Sequence, residues 1–562
     1  MKNKKCVLFG IVALLAVVFI AVFGIISLTN DAGKTKTEIT KENANEKVDK
    51  MLKSINVTTE TPRKSAVDLV QEDKGAELPE IDTNPLTVEG RGDINVEIFS
   101  TSEKSGKGTD GWINEIAEQF NNENYTIDGK SVSVSIRTVA SGLSVDYITS
   151  GKYMPDAFTP SNEFWIKMVE AEGVNTTKIT DRLVGNVAGI LLSKDTHKSI
   201  QSTYGAVNAK SVIESTVNNE ISMGYTNPLA SATGLNFLVT TLYTYDANDI
   251  LSTTAIEGFN AFQNNVPFVS YTTLQMRDAA ASGSLNGFVL EYQTYINSAE
   301  LSKNYEFTPF GVRHDNPLYG VGNLSAEKKQ ALDMFAEYCA SEQSQKLATK
   351  YGFNQLDEYK SELPEYDGAT LISAQKLWKE NKDGNKEIVA VFVADVSGSM
   401  DGEPLKMLKE SLINGMRYIS SDHYIGLVSY STDVTINLPI SKFDLNNQAY
   451  FKGAVEDLIA NGGTATMDGI IVAMDMIEDA LVEHPDAKPM LFVLSDGDSN
   501  RGHSLKDIEE SLSALDIPVY TIGYNADISA LETISSINEA ASINADSDDV
   551  VYKLKCLFDS NL

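Results

Sequence analysis

Two apolar runs in this chain stop abruptly on acidic residues. Ile388 to Ala394 ends at Asp395, and Met490 to Leu494 ends at Ser495-Asp496. Short runs rich in Val, Ile and Phe suit strands buried on both faces, and longer amphipathic stretches lie between them. Leu405, Leu408, Leu412, Met416 and Ile419 recur at helical spacing. Tyr424 to Tyr430 and Val434 to Ile440 read as further strands, Phe451 to Ala460 and Met467 to Val482 as helices, and Pro518 to Tyr524 as another strand. The alternation predicts an α/β fold over residues 387–562, a doubly wound parallel sheet covered by helices. Such sheets bind ligands outside the carboxyl ends of their strands. Asp395 and Asp496 are therefore expected at one edge, with Thr464 reaching it from the helix start after Gly462-Gly463.

Hydroxyl and carboxylate oxygens in this arrangement suit a hard cation, Mg2+, Mn2+ or Ca2+. The order Asp395-x-Ser397-x-Ser399, then Thr464, then Asp496 resembles the metal-ion-dependent adhesion site of the von Willebrand factor A family. That resemblance implies that Ser397, Ser399 and Thr464 touch the metal directly, while Asp395 and Asp496 act mostly through waters. Neutral hydroxyls leave much of the ion's charge uncompensated, so an acidic group on a protein partner can complete its shell. The bland alternative is that Ser and Thr merely cap helices.

At the start of the chain, Lys2, Lys4 and Lys5 precede an uncharged run from Cys6 to Leu28. That run is long enough to cross a bilayer as a helix. A cleaved signal peptide is the competing reading, but Ser27-Leu28-Thr29-Asn30 offers no Ala-x-Ala site. Residues 1–30 are accordingly expected to be a cytoplasmic tip and transmembrane signal anchor. The lysines would stay inside and everything after Leu28 would lie outside the cell membrane. Residues 31–92 contain no aromatic side chain and are expected to form a disordered stalk. Arg91-Gly92-Asp93 spells an integrin-type tripeptide at a strand entrance, and chance is its better explanation.

Residues 93–360 form a second folded region. Ile94 to Phe99 alternates as a strand, Trp112, Ile113, Ile116, Ala117 and Phe120 share a helix face, and Val132, Val134 and Ile136 mark the next strand. Tyr153 to Phe158 reads as a strand too. This order, with Tyr225-Thr226-Asn227-Pro228 and Phe288 to Tyr292, resembles the type 2 extracellular solute-binding proteins, the capture components of bacterial importers. The resemblance implies two α/β lobes joined by crossing strands, at Val187 to Leu192 and between Tyr305 and Val312. In such folds hydroxyl residues at helix starts hold polar or anionic ligands. Thr101, Ser102, Ser141, Ser161 and Ser231 are the candidate contacts, with Tyr225, Glu291 and Tyr292 behind them. Each Ser or Thr has an ordinary alternative as a turn or cap residue. Residues 361–386 are expected to link the two domains.

The net charge of −32 argues against a nucleic-acid partner, whose phosphates it would repel. Three cysteines are too few for a disulfide scaffold, and a Cys339–Cys556 bridge has no motif behind it. Five scattered histidines give no zinc pair, and no Gly-x-Ser-x-Gly elbow or P-loop appears. The chain is not expected to be an enzyme. The expected function is that of a membrane-anchored, cell-surface adhesion protein. Its metal site grips an acidic group on a protein partner, and its solute-binding-like domain serves as sensor or platform. The alternative is the capture component of an importer, with the A-type domain as a docking accessory.

Overall fold

The computed structural model describes residues 40–67, 78–266, 268–270, 276, 285–382, 386–497, 499–524, 534–535 and 542–545. The apolar run Cys6–Leu28 and its flanking lysines lie outside the described residues, as does Cys556. Among the described residues no helix is long and apolar enough to cross a membrane.

The C-terminal domain is built on a seven-stranded sheet. Its order across the sheet is Val57–Thr59, Val434–Lys442, Tyr424–Tyr430, Ile388–Asp395, Lys488–Ser495, Val519–Tyr524 and Ser542–Ala545. Ile388–Asp395 is central and parallel to both neighbours, and every residue in it is buried. The apolar run is continuous because both its faces are covered. Phe392 points into one core with Leu408, Leu412 and Phe451, and Val391 and Val393 into the other with Ile470, Ile471 and Leu512. Val434–Lys442 runs antiparallel to Tyr424–Tyr430.

The edge strand Val57–Thr59 comes from the segment expected to be a disordered stalk. It pairs in parallel with Val434–Ile436. Before it, Lys41–Leu52 is a helix whose N-cap Thr40 hydroxyl accepts from the Asn43 N–H at 3.3 Å. Ala44, Val48 and Met51 fall on one helical face and are buried against Ile471, Leu512 and their neighbours. Asn45 donates to Glu478 at 3.0 Å, Lys47 meets Glu510 at 3.2 Å, and Arg63 meets Glu456 at 2.7 Å and Asp457 at 3.1 Å. The stalk expectation therefore fails for residues 40–67, and also for 78–92, where Leu78 and Val88 are buried and Leu86–Val88 pairs with Lys130–Thr138. Three small or flexible apolar side chains at helical spacing suffice when a formed core receives them.

Residues 78–382 make two lobes. One sheet runs Leu86–Val88, Lys130–Thr138, Ile94–Ser100, Ala157–Thr159, Leu318–Val321 and Thr176–Thr180, with Thr126–Ile127 paired beside it. The other, five-stranded, runs Phe268–Ser270, Met223–Thr226, Gly287–Glu291, Asn186–Ser193 and Tyr305–His314. Asn186–Ser193 and Tyr305–His314 pair antiparallel with a register shift between Pro309 and Arg313, where the expected crossing strands lie. The strand expected from Tyr153 is confined to Ala157–Thr159, and after Ser100 the chain makes a helical turn, Ser102–Ser105. Cys339 is buried in the first lobe's core, which pushes its thiol pKa up.

The expected linker is also part of this domain. Gly368–Asn381 is a helix capped by Asp367, which accepts from the Thr370 N–H at 2.7 Å. Leu371, Ala374, Leu377 and Trp378 are buried in a core shared by both lobes. At Gly368 a Cβ would stand 2.0 Å from the Lys167 carbonyl oxygen, so only glycine allows that approach. On the second lobe, the Trp378 indole donates to the Tyr225 hydroxyl at 2.7 Å and Gln375 to the Pro228 carbonyl at 2.8 Å. Proximity to a charged, turn-rich stretch made this helix read as a connector. Its four apolar anchors make it a staple.

Candidate metal site and interlobe cleft

Asp395, the last residue of the central strand, is fully buried. Its Oδ1 accepts the Ser397 N–H at 2.8 Å. Its Oδ2 accepts the Ser495 hydroxyl at 2.6 Å and the Tyr430 hydroxyl at 3.2 Å. From there the row continues outward: Ser397 Oγ lies 3.0 Å from Ser399 Oγ, and Ser399 donates to Asp496 Oδ1 at 3.0 Å. Ser397 is buried and Ser399 exposed, so the row opens to solvent at the carboxyl edge of the sheet. Gly398 donates to the Gly462 carbonyl at 3.1 Å, which brings the Gly462-Gly463-Thr464 loop against the same turn. Thr464 is buried beside it, its N–H donating to Asn500 Oδ1 at 3.0 Å and its hydroxyl accepting from Asn500 Nδ2 at 3.3 Å.

The residues fit a divalent ion. The groups bonded to the Asp395 carboxylate are neutral, and burial, reinforced by repulsion from Asp496, raises its pKa. A cation between the two carboxylates would relieve both effects. Among the described residues no group of three or more His, Cys, Asp or Glu side chains gathers to hold an ion. The oxygen donors brought together here are mainly hydroxyls.

The two lobes close on a second site. A cavity of about 30 Å³ is lined by all five expected hydroxyl residues, Thr101, Ser102, Ser141, Ser161 and Ser231, together with Glu103 and Glu291. Strand ends deliver them: Thr101 follows Ile94–Ser100, Ser161 follows Ala157–Thr159, and Glu291 closes Gly287–Glu291. Ser141 and Ser231 stand at helix starts, and the Ser231 hydroxyl caps its own helix by accepting from Gly234 at 3.4 Å. Lobe contact is direct. Gly142 donates to the Ala230 carbonyl at 3.2 Å, and a Cβ there would stand 1.8 Å from the Leu229 oxygen.

A model of the von Willebrand factor type A domain matches residues 390–555, and a model described as bacterial extracellular solute-binding protein matches residues 105–354. The chain joins a von Willebrand factor type A domain to a bacterial extracellular solute-binding domain. It is 31% identical over 170 residues to inter-alpha-trypsin inhibitor heavy chain H3 of Mus musculus, covering 28% of this chain and 19% of that one. It is 25% identical over 160 residues to the voltage-dependent calcium channel subunit alpha-2/delta-2 of Homo sapiens, covering 26% of this chain and 13% of that one. The chain thus spans less than a fifth of the length of these curated relatives. Among solved structures, the sulfate-binding protein SubI of Mycobacterium tuberculosis H37Rv is 16% identical with a TM-score of 0.35, covering 50% of this chain and 91% of that one.

Of the weaker cleft candidates, Glu291 lines the cavity. Tyr225 instead belongs to the core, its hydroxyl donating to Gln263 at 2.6 Å, and the Tyr292 ring packs on Phe307. Sequence reasoning missed Glu103 and Lys104. Both are buried, although charged residues in a polar loop normally face water. Glu103 accepts from the Thr101 and Ser161 hydroxyls, and Lys104 donates to Thr101 Oγ1 at 2.6 Å. Burial pulls the Lys104 ammonium down to about 8. It also raises the Glu291 carboxyl, with Glu103 adding to the effect. No local signal marks them, since a Glu-Lys pair in a turn two residues after a strand is ordinarily solvated. The integrin-type tripeptide is spoken for: Asp93 accepts both the Ser131 N–H at 2.9 Å and its hydroxyl at 2.8 Å.

Proposed function

We propose that this is a cell-surface binding protein whose A domain grips an acidic group on a protein partner through a divalent cation, Mg2+ or a similar hard ion. The observation that carries this reading is the row Asp395, Ser397, Ser399 and Asp496, open to solvent at Ser399 and flanked by Thr464. Ser397, Ser399 and Thr464 would hold the ion, which supplies an electrophilic position for the partner's carboxylate. Asp395 and Asp496 would orient its waters. The apolar run Cys6–Leu28 would anchor the chain as a single-pass protein with both folded domains outside. The solute-binding domain would hold a small polar ligand as sensor or platform. Binding, not catalysis, is the role assigned to both sites. A second reading, solute capture for an importer with the A domain as docking accessory, draws on the five hydroxyl residues gathered in the cleft.

The test is titration calorimetry of Mg2+ into the purified protein and its Asp395→Ala variant. The wild type should bind, and its A-domain transition should gain about 1.4 kcal/mol for each tenfold excess over the dissociation constant. Equal responses from the two proteins would sink the reading.

A further inference from the structure

The lining of the interlobe cavity carries information about charge. Among the described residues its polar side chains are five hydroxyls and two carboxylates, Glu103 and Glu291, and none of them carries a nitrogen. Three N–H groups at the helix starts beside the cavity already have partners. Gly142 N–H is donated to Ala230, Ser144 N–H to Ala140, and Gly234 N–H to the Ser231 hydroxyl.

Carboxyl groups outnumber ammonium groups in the cluster. Lys104, fully buried beside Thr101, is one cation against two carboxylates. His314 Nδ1 sits 2.7 Å from Glu291 Oε1, and Asn236 Nδ2 lies 3.3 Å from His314 Nε2. The Asn236 amide presents its nitrogen there, because its oxygen accepts the Val312 N–H at 2.9 Å. Nε2 then faces a donor, and Nδ1 is left to donate to Glu291. Two buried groups also have capacity to spare. Glu103 Oε2 makes no hydrogen bond among the described residues, and neither does the Ser141 hydroxyl; the two residues are 8% and 3% exposed and both line the cavity.

We propose that the cleft takes a compact positive charge, either a hard metal ion or the ammonium head of a small amine, held by Glu103, Glu291 and the surrounding hydroxyls. This rests on the reading of the cleft as a ligand site and names what that site selects. All-oxygen donors suit both sources. The cavity, about 30 Å³, has room for about one or two waters. An ion fits as the lobes stand. An amine with a tail requires them to part at contacts such as Gly142 to Ala230 and Gln293 to Asp110, the latter 3.2 Å.

Tryptophan emission isolates this domain, because the chain's three tryptophans, Trp112, Trp165 and Trp378, all lie in it. Thermal unfolding of the full chain carrying Asp395→Ala, which removes the A-domain site, is followed by that emission. Probes are calcium, magnesium and ethylammonium chlorides. Sulfate and phosphate are supplied separately as tetramethylammonium salts, whose bulky cation lacks N–H donors. A saturable upward shift with a cationic probe is expected, and Glu103→Gln or Glu291→Gln should weaken that probe's apparent affinity at least about tenfold. Response to the metals alone assigns an ion, and response to ethylammonium alone assigns an amine. Ser141→Ala has no hydrogen bond to lose; it should also weaken the response and keeps the test open if the glutamine variants fail to fold. A saturable shift with sulfate or phosphate and none with cations overturns the proposal while the cleft remains a ligand site. No saturable shift with any probe overturns both.

Discussion

Replacing Trp378 by Ala tests whether the helix Gly368–Asn381 is a staple of the solute-binding domain or a connector beside it. Trp378 is fully buried in the core shared by both lobes. A tryptophan side chain buries about 150–250 Å², which at about 25 cal/mol/Å² corresponds to roughly 4–6 kcal/mol. Truncations of buried Phe and Trp to Ala cost about 3–5 kcal/mol because the site collapses only in part. The lost bond to Tyr225 adds about 1 kcal/mol at most, since that hydroxyl still donates to Gln263. A loss of about 4 kcal/mol is expected. With a urea slope of about 3 kcal/mol/M the unfolding midpoint should fall by about 1.3 M. Emission from Trp112 and Trp165 reports it without interference, because the A domain has no tryptophan. Trp378→Phe keeps most of the volume and should cost well under half as much. A loss below about 1 kcal/mol in Trp378→Ala, with both remaining tryptophans unfolding as before, would refute the integral role of this helix.

Three further outcomes follow from the same physical arguments. Val48→Ala, on the helix that packs the N-terminal segment onto the A domain, should destabilise that domain by about 2 kcal/mol and leave the tryptophan-reported transition unmoved; calorimetry resolving both transitions decides it. Burial, with repulsion from Asp479 and Asp49, holds the Asp475 carboxyl above its ordinary value. Its folded pKa therefore exceeds its unfolded one, and the associated stability is present at low pH and lost as pH rises through the folded value. Asp475→Asn should accordingly stabilise the A domain at pH 7 and lose that advantage near pH 3, as melting curves at the two pH values would show; an equal effect at both would contradict it. Removing divalent metal with a chelator should lower the A-domain transition of the wild type and leave Asp395→Ala unchanged, measured in the same calorimeter.

The A-domain site was legible because its signal is local. Asp395 and Asp496 each end an apolar run, Asp395 as the last residue of its strand and Asp496 as the first residue beyond its own. The five hydroxyls of the cleft were legible for a related reason, since strand ends and helix starts in α/β lobes meet at one edge. Glu103 and Lys104 were not, because no local pattern distinguishes a buried charge from a solvated one. Tertiary structure sets Glu103 against Ser161 and, from the second lobe, places Glu291 in the same cavity.

The sequence by itself determined the identity and order of the strands and helices, through side-chain periods of 2 and 3.6 that covalent geometry imposes. It also determined that two α/β domains with these chemical endings lie between residues 93 and 562. Tertiary structure alone decided which distant pieces complete them. Val57–Thr59 finds an open edge beside Val434–Ile436, and Ala44, Val48 and Met51 find a groove already lined by Ile471 and Leu512. Gly368–Asn381 likewise finds two lobes at once. Each of these segments is too weakly apolar to form structure alone, and its order comes from surface that another part of the chain has already assembled.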